Sequence, residues 1–334
     1  MRWFVYSTYL LVLAIAGIEL FWWLKFDSVS WDKVNEADAV WKNYYRELWR
    51  SGAVHAESSP QDQIIDILLL GGSVLEQTGD LWEAEVTRQT GRKARVFNVA
   101  VSAHTSRDSR IKYSRLASRK FDWVVVYHGI NDVRMNYTTD ADFRDDYTHC
   151  DWYHGFERCR KLGRLKVIDV TDSVVTALMT RDGPSPDLYP LGRTLRTPVP
   201  FGENLAAIAT QATSANAKVV LMTFAWHLPA DYTAAAFASG QLDYGEGTFS
   251  MLAEDWGEPS QIPGVLRAQN EQIRRVVTEH STGGSIVLVD QAELMQRGSA
   301  NFSDICHLTP DGCQRFVQHA VRAAAQQFGE LNPM

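Results

Sequence analysis

The sequence predicts a three-layer α/β/α domain built on about five parallel strands. Three observations lead there. Five short runs, residues 64–71, 94–100, 121–129, 217–224 and 285–290, are apolar almost without interruption and rich in β-branched residues. Strands that alternate in polarity line one face of a core, whereas strands apolar throughout are covered on both, as in a parallel sheet. Helical stretches such as "NLAAIATQATSANA" and "GVLRAQNEQIRRVVTEH" lie between the runs and supply the crossovers that parallel strands need. Length agrees: 334 residues, 45% hydrophobic and 22% charged, suit one large globular domain with extra sequence at an end.

That extra sequence is N-terminal. Trp3 to Leu24 carries a single charge, Glu19, and ends on Trp22 and Trp23. As a helix it would span about 33 Å, against a hydrocarbon core of roughly 30 Å. Glu19 lies close enough to the end to snorkel, and the tryptophans stand where interfacial aromatics belong. Ala14 and Ala16 offer a cleavage pattern, but cleavage there would leave "GIELFWWLKF" as an exposed apolar N-terminus. The expectation is therefore an uncleaved membrane anchor over residues 1–26. A juxtamembrane amphipathic helix and linker over 27–63 follow, with Val34, Ala37, Trp41, Tyr44 and Leu48 at helical spacing.

The main domain is expected over 64–328, with a short tail at 329–334. Residues 134–200 and 228–262 are too long for ordinary connections, and emerge where they can wall or cover a cleft. Positive charge is nearly tied across the apolar segment, so the cysteines set the topology. Cys150 with Cys159 and Cys306 with Cys313 are an even set at short spacing, which favours disulfides and a periplasmic or extracellular domain. His149 and His154 near the first pair fit no common zinc signature, so no metal is expected. A net charge of −7 with no basic block excludes nucleic acid as a partner.

The chemistry lies at strand ends, where ligands of such sheets sit. "DILLLGGSVLEQ" ends a strand on two glycines and presents Ser73 before a helix. A serine needs a base, and the base an orienting acid. "SDICHLTPDGCQRF" supplies Asp304 and His307 on a loop that leads into the last helix, capped by Thr309 with Pro310 first in the helix. An oxyanion would need donors, and "YHGIND" places Asn131 just past the third strand. His104, Trp226 and His227 follow strand ends and are candidate substrate contacts. His128, inside an apolar run, reads as a core histidine.

Together these blocks resemble the SGNH hydrolases, the GDSL-type esterases and lipases. The serine block resembles "LLLGGSVLEQ", the second "FNVAVSAHTS", the third "GIND" and the last "DICH", in that order across roughly 64–328. The resemblance implies the flavodoxin-like sandwich of that family. It implies Ser73 as nucleophile, His307 as base and Asp304 as its orienter. The N–H groups of Ser73 and Ala103 and the Asn131 amide would form the oxyanion hole, and no cofactor is required. Two positions depart from the pattern. Gly72 stands in the place of an aspartate, and Ala103 in the place of the second-block glycine. A Cys306–Cys313 bridge would tie the Asp304/His307 loop to the last helix.

The function so implied is a membrane-anchored extracytoplasmic serine esterase. Its substrate would be an acyl ester, with O-acetyl groups of a cell-surface polysaccharide as one candidate. O-acyl transfer, a lipase or thioesterase, and a non-catalytic binding module on the same scaffold remain alternatives.

Overall fold

The computed structural model describes residues 13, 16–17, 36–56, 63–162, 183–281 and 283–332. The chain divides into two compact units, Met1–Arg46 with Asp151–Met179, and Glu47–Cys150 with Thr180–Met334. The expected anchor over Trp3–Leu24 lies almost wholly outside the described residues. Among those described, no helix is long and apolar enough to cross a membrane.

The larger unit carries one sheet of five strands: β1 (Ile65–Gly71), β2 (Ala94–Asn98), β3 (Trp123–Tyr127), β4 (Lys218–Met222) and β5 (Ile286–Val289). All neighbours are parallel, in the order β2-β1-β3-β4-β5. Every residue of β1 and of β3 is buried, as uninterrupted Ile, Leu and Val runs require when both faces are covered. Register aligns Leu69 of β1 with Val125 of β3 and with Asn98 of β2.

Two sets of helices cover the sheet. α3 (Ser73–Thr90) packs on α11 (Pro310–Gln327), while α7 (Pro198–Ser214) packs between α4 (Ser106–Leu116) and α9 (Ile262–His280). The expected α/β sandwich on five parallel strands is what forms. Because β1 lies between β2 and β3, the chain leaves β1 in one direction and later returns in the other. The crevice at the carboxyl ends of β1 and β3 is this sheet's switch point.

The amphipathic helix expected through Leu48 is two helices. α1 (Glu36–Tyr44) belongs to the smaller unit and α2 (Glu47–Arg50) to the larger. The break has an electrostatic reason: Glu47 reaches the Lys112 ammonium at 2.8 Å, and Lys112 is fully buried. A buried ammonium needs such a partner, and it also donates to the Val99 carbonyl at 2.6 Å. In the smaller unit α1 packs against α6 (Asp151–Leu162). Trp41, Tyr44 and Tyr45 there meet Trp152 and Phe156 edge-on.

The two expected disulfides do not form, since all four cysteines are thiols. Cys159 sits on α6 with its sulfur 4.0 Å from the Tyr44 hydroxyl, inside the smaller unit. Cys306 turns its sulfur towards His307, 3.6 Å from Nδ1, while Cys313 lies in the first turn of α11.

Candidate active site

β1 ends at Gly71, Gly72 caps α3, and Ser73 is the first helical residue. Its N–H is among those a helix leaves without an intrahelical acceptor. The glycines are there for space. Gly72 has φ −97°, a value any residue adopts. A Cβ on it would fall 2.7 Å from Asn131 Nδ2, and one on Gly71 would fall 2.9 Å from the Tyr127 carbonyl oxygen. The serine turn thus lies pressed against β3 and against an amide.

Ser73 Oγ lies 2.7 Å from His307 Nε2. His307 Nδ1 lies 2.6 Å from Asp304 Oδ2. The three residues are buried. Because Asp304 Oδ2 accepts a hydrogen bond from Nδ1–H, Nε2 is left to accept from the serine hydroxyl, the arrangement a general base needs. The loop holding the pair is itself braced. Ser303 N–H donates to the His307 carbonyl, Thr309 N–H to the Asn301 carbonyl, and Phe302 bridges Leu308. Thr309 Oγ1 accepts from Gly312 N–H at 3.0 Å, with Pro310 next, so α11 starts where sequence chemistry places it.

Asp304 accepts four hydrogen bonds. Its Oδ1 takes the N–H groups of Cys306 (2.9 Å) and His307 (2.8 Å), and Oδ2 takes Met251 N–H (2.9 Å) beside the imidazole. Phe249 stacks on the His307 ring at 4.6 Å between centroids, and Trp256 lies against it at 5.9 Å. Met251, Phe249 and Trp256 all come from the 228–262 stretch, which includes α8 (Ala234–Ala238). Sequence reasoning had the stretch but not these residues, since a loop without periodicity does not reveal which side chains turn inwards.

Asn131 lies in the short helix α5 (Ile130–Val133) after β3. Its Oδ1 accepts from Trp256 Nε1 at 3.1 Å, and its Nδ2 donates to the His104 carbonyl at 2.9 Å. An indole nitrogen only donates, so the amide oxygen must face Trp256 and the NH₂ must face Gly72 and the His104 carbonyl. Ala103 adopts φ +67°, in the left-handed region. It is the third residue of a turn closed by His104 N–H to the Val101 carbonyl at 3.2 Å. Glycine suits that position, and alanine occupies it at a cost of about 1 kcal/mol.

A partly open pocket beside Ser73 is lined by Gly72, Gly129, Asn131 and Phe224 among others. None of His104, Trp226 and His227 lines it. The His104 side chain faces Glu47 at 3.8 Å, and only its carbonyl serves the site. Nε2 of His227 contacts the Asp243 carbonyl at 2.9 Å. Trp226 lies under Arg297, 5.7 Å from its ring centre. His128 is a core residue bonded to Ser109 Oγ at 2.7 Å, and burial, aided by the Lys112 charge, lowers its pKa to about 3.

Asp304, Cys306 and His307 bring an oxygen, a sulfur and a nitrogen within 4.8 Å of one another, as metal ligands do. The His307–Asp304 bond already uses two of those atoms. Burial, with the Asp304 charge added, pushes the Cys306 thiol well up and away from the thiolate a metal would need.

The sequence profile of the GDSL-like lipase/acylhydrolase family matches residues 69–315. No curated protein sequence matches the chain. Among solved structures, the chain resembles a GDSL-like lipase from Bacteroides thetaiotaomicron at 14% identity and a TM-score of 0.47, covering 85% of this chain and 98% of that one. It also resembles Axe2, an acetylxylan esterase from Geobacillus stearothermophilus, at 13% identity and a TM-score of 0.44, covering 81% and 97%. The profile spans well over half the sequence and takes in both the serine turn and the His307 loop: the chain belongs to the GDSL-like lipase/acylhydrolase family, hydrolases of ester bonds.

Proposed function

We propose that this protein is a serine esterase for short acyl esters, tethered to a membrane and acting outside the cytoplasm on O-acyl groups such as the O-acetyl groups of a cell-surface glycan. One observation carries the catalytic part, the hydrogen-bonded relay from Ser73 through His307 to Asp304. Ser73 Oγ attacks the ester carbonyl while His307 Nε2 takes its proton. The tetrahedral oxyanion is met by the N–H groups of Ser73 and Ala103 and by the Asn131 amide. His307 returns the proton to the leaving alkoxide, and water, activated the same way, releases the acid. Neither metal nor organic cofactor enters these steps.

The short-acyl part is supported by the confined pocket, with Gly72, Gly129 and Phe224 on its walls. The tether rests on the apolar run Trp3–Leu24. The extracytoplasmic side has lost the disulfide argument and stands on the glycan reading alone. Labelling Cys150 on intact cells with an impermeant maleimide tests it. For the chemistry, the test is a p-nitrophenyl ester series from acetate to dodecanoate with the wild type and Ser73→Ala. Rates that fall steeply with acyl length and vanish in the variant are expected. A preference for long chains would sink the short-acyl reading, and turnover that survives in the variant would sink the nucleophile.

A further inference from the structure

Arg134 follows α5 directly and stands three residues after Asn131, so the two side chains leave the same side of the turn. Its guanidinium carbon lies 5.7 Å from the centre of the Trp256 ring. That indole also holds the Asn131 amide and lies against His307. A single indole therefore links the guanidinium to the oxyanion donor and to the base. Its charge is also close enough to act on the Cys306 thiol, next to His307.

Among the described residues the guanidinium has no hydrogen-bonding partner. Nε is shut off from solvent and makes no hydrogen bond. Burial lowers its pKa, and Asp255 acts on it through space without forming an ion pair. Several arginines elsewhere are paired with carboxylates, among them Arg95 with Asp66 at 2.7 Å, Arg160 with Glu157 at 2.7 Å and Arg274 with Asp290 at 2.9 Å. With Nε shut off from water and no anion beside it, this half-buried guanidinium is under-satisfied, and a planar oxyanion meeting its fork would recover the deficit. A chain of net charge −7 has no general basic field of which Arg134 would be an incidental part.

We propose that Arg134 is an anion subsite beside Trp256, receiving a carboxylate or phosphate group carried by the ester substrate. The inference rests on the esterase reading and names its substrate class, acidic esters. Burial against the indole sets its reach: the anion sits about one indole from the imidazole, so it belongs to a nearby part of the same substrate molecule. The two possible sources of the anion share one chemistry, bidentate acceptance from the guanidinium fork.

The test compares kcat/KM of the full-length chain, in mild detergent, on matched esters. Phenyl acetate is the neutral reference for 4-acetoxybenzoate and 4-acetoxyphenyl phosphate, and p-nitrophenyl acetate for mono-p-nitrophenyl succinate. The wild type should favour at least one anionic ester by about tenfold or more over its neutral partner, and Arg134→Met should bring that ratio close to one. Arg134→Lys, with charge but no fork, should keep part of it. Whichever anionic ester shows the effect identifies carboxylate or phosphate, and the acyl or the alcohol side. Binding of succinate and of inorganic phosphate by calorimetry, wild type against Arg134→Met, gives a second readout that needs no turnover. An arginine that only props the fold would lower Tm when replaced and leave the ratio untouched. Turnover without any anionic preference, or a preference that persists in Arg134→Met, overturns the subsite and leaves the esterase standing. If the folded wild type hydrolyses nothing, the esterase reading falls, and calorimetry alone decides the subsite: anion binding lost in Arg134→Met upholds it, and binding equal in both proteins overturns it.

Discussion

Trp256 Nε1 donates to Asn131 Oδ1 at 3.1 Å, and that bond sets which way the amide faces. Without it, only the bond from Nδ2 to the His104 carbonyl would oppose a half-turn that presents the amide oxygen, a repulsive group, to a developing oxyanion. Trp256→Phe keeps the packing against His307 and removes the donor. We expect kcat to fall about tenfold or more with KM little changed, as for a weakened oxyanion hole. Steady-state kinetics on p-nitrophenyl acetate, with Tm as the control for folding, measure it. An unchanged kcat would mean that the amide is held by its bond to the His104 carbonyl alone.

Ala103 pays for its backbone conformation, at φ +67° on the exposed turn after β2. Ala103→Gly relieves the left-handed strain but frees the unfolded chain, two effects of opposite sign. The strain is the larger, so a net gain of a few tenths of a kcal/mol, at most about 0.6, in unfolding free energy is expected from denaturant titration. Destabilisation by the glycine would show that the turn relaxes in solution to a conformation alanine prefers.

His128 predicts a pH dependence. Burial, with the Lys112 charge adding to it, lowers its folded pKa to about 3, while Asp108 pulls the other way and His104 adds to the lowering. The unfolded chain, with an ordinary value near 6.5, therefore binds the proton first. Stability from neutral His128 is fully present above pH 6.5 and is lost as pH falls towards 3. His128→Gln keeps a partner for Ser109 and cannot titrate. Between pH 7 and pH 5 the wild type should lose about 2 kcal/mol more than the variant in urea unfolding. Parallel losses in the two proteins would refute this assignment.

Much of the fold was legible because a buried parallel strand needs a continuous apolar run. The run at 64–71 became β1 at Ile65–Gly71, and 217–224 became β4 at Lys218–Met222. Asp304 and His307 were visible for a local reason, since Thr309 and Pro310 mark a helix start and fix a loop before it. Met251, Phe249 and Trp256 were not visible. Their contacts with Asp304, His307 and Asn131 arise from how an irregular segment folds back, and no periodicity records that. The cysteines misled because spacing reports sequence distance alone, whereas the Cys306 sulfur is drawn towards the imidazole. Glu47 ended a helix that hydrophobic spacing would have continued, because its partner Lys112 lies far along the chain.

The central claim is that the relay through His307 activates Ser73. The most direct measurement is labelling of the full-length protein by a fluorophosphonate, read by mass spectrometry of the peptide that contains Ser73, in the wild type, His307→Ala and Asp304→Asn. The account predicts a single adduct on Ser73 in the wild type. It predicts slowing by several orders of magnitude in His307→Ala, and by about 10³–10⁴ in Asp304→Asn, where the imidazole is held in the wrong tautomer. An adduct on another residue, or labelling of Ser73 at an undiminished rate without His307, would contradict it.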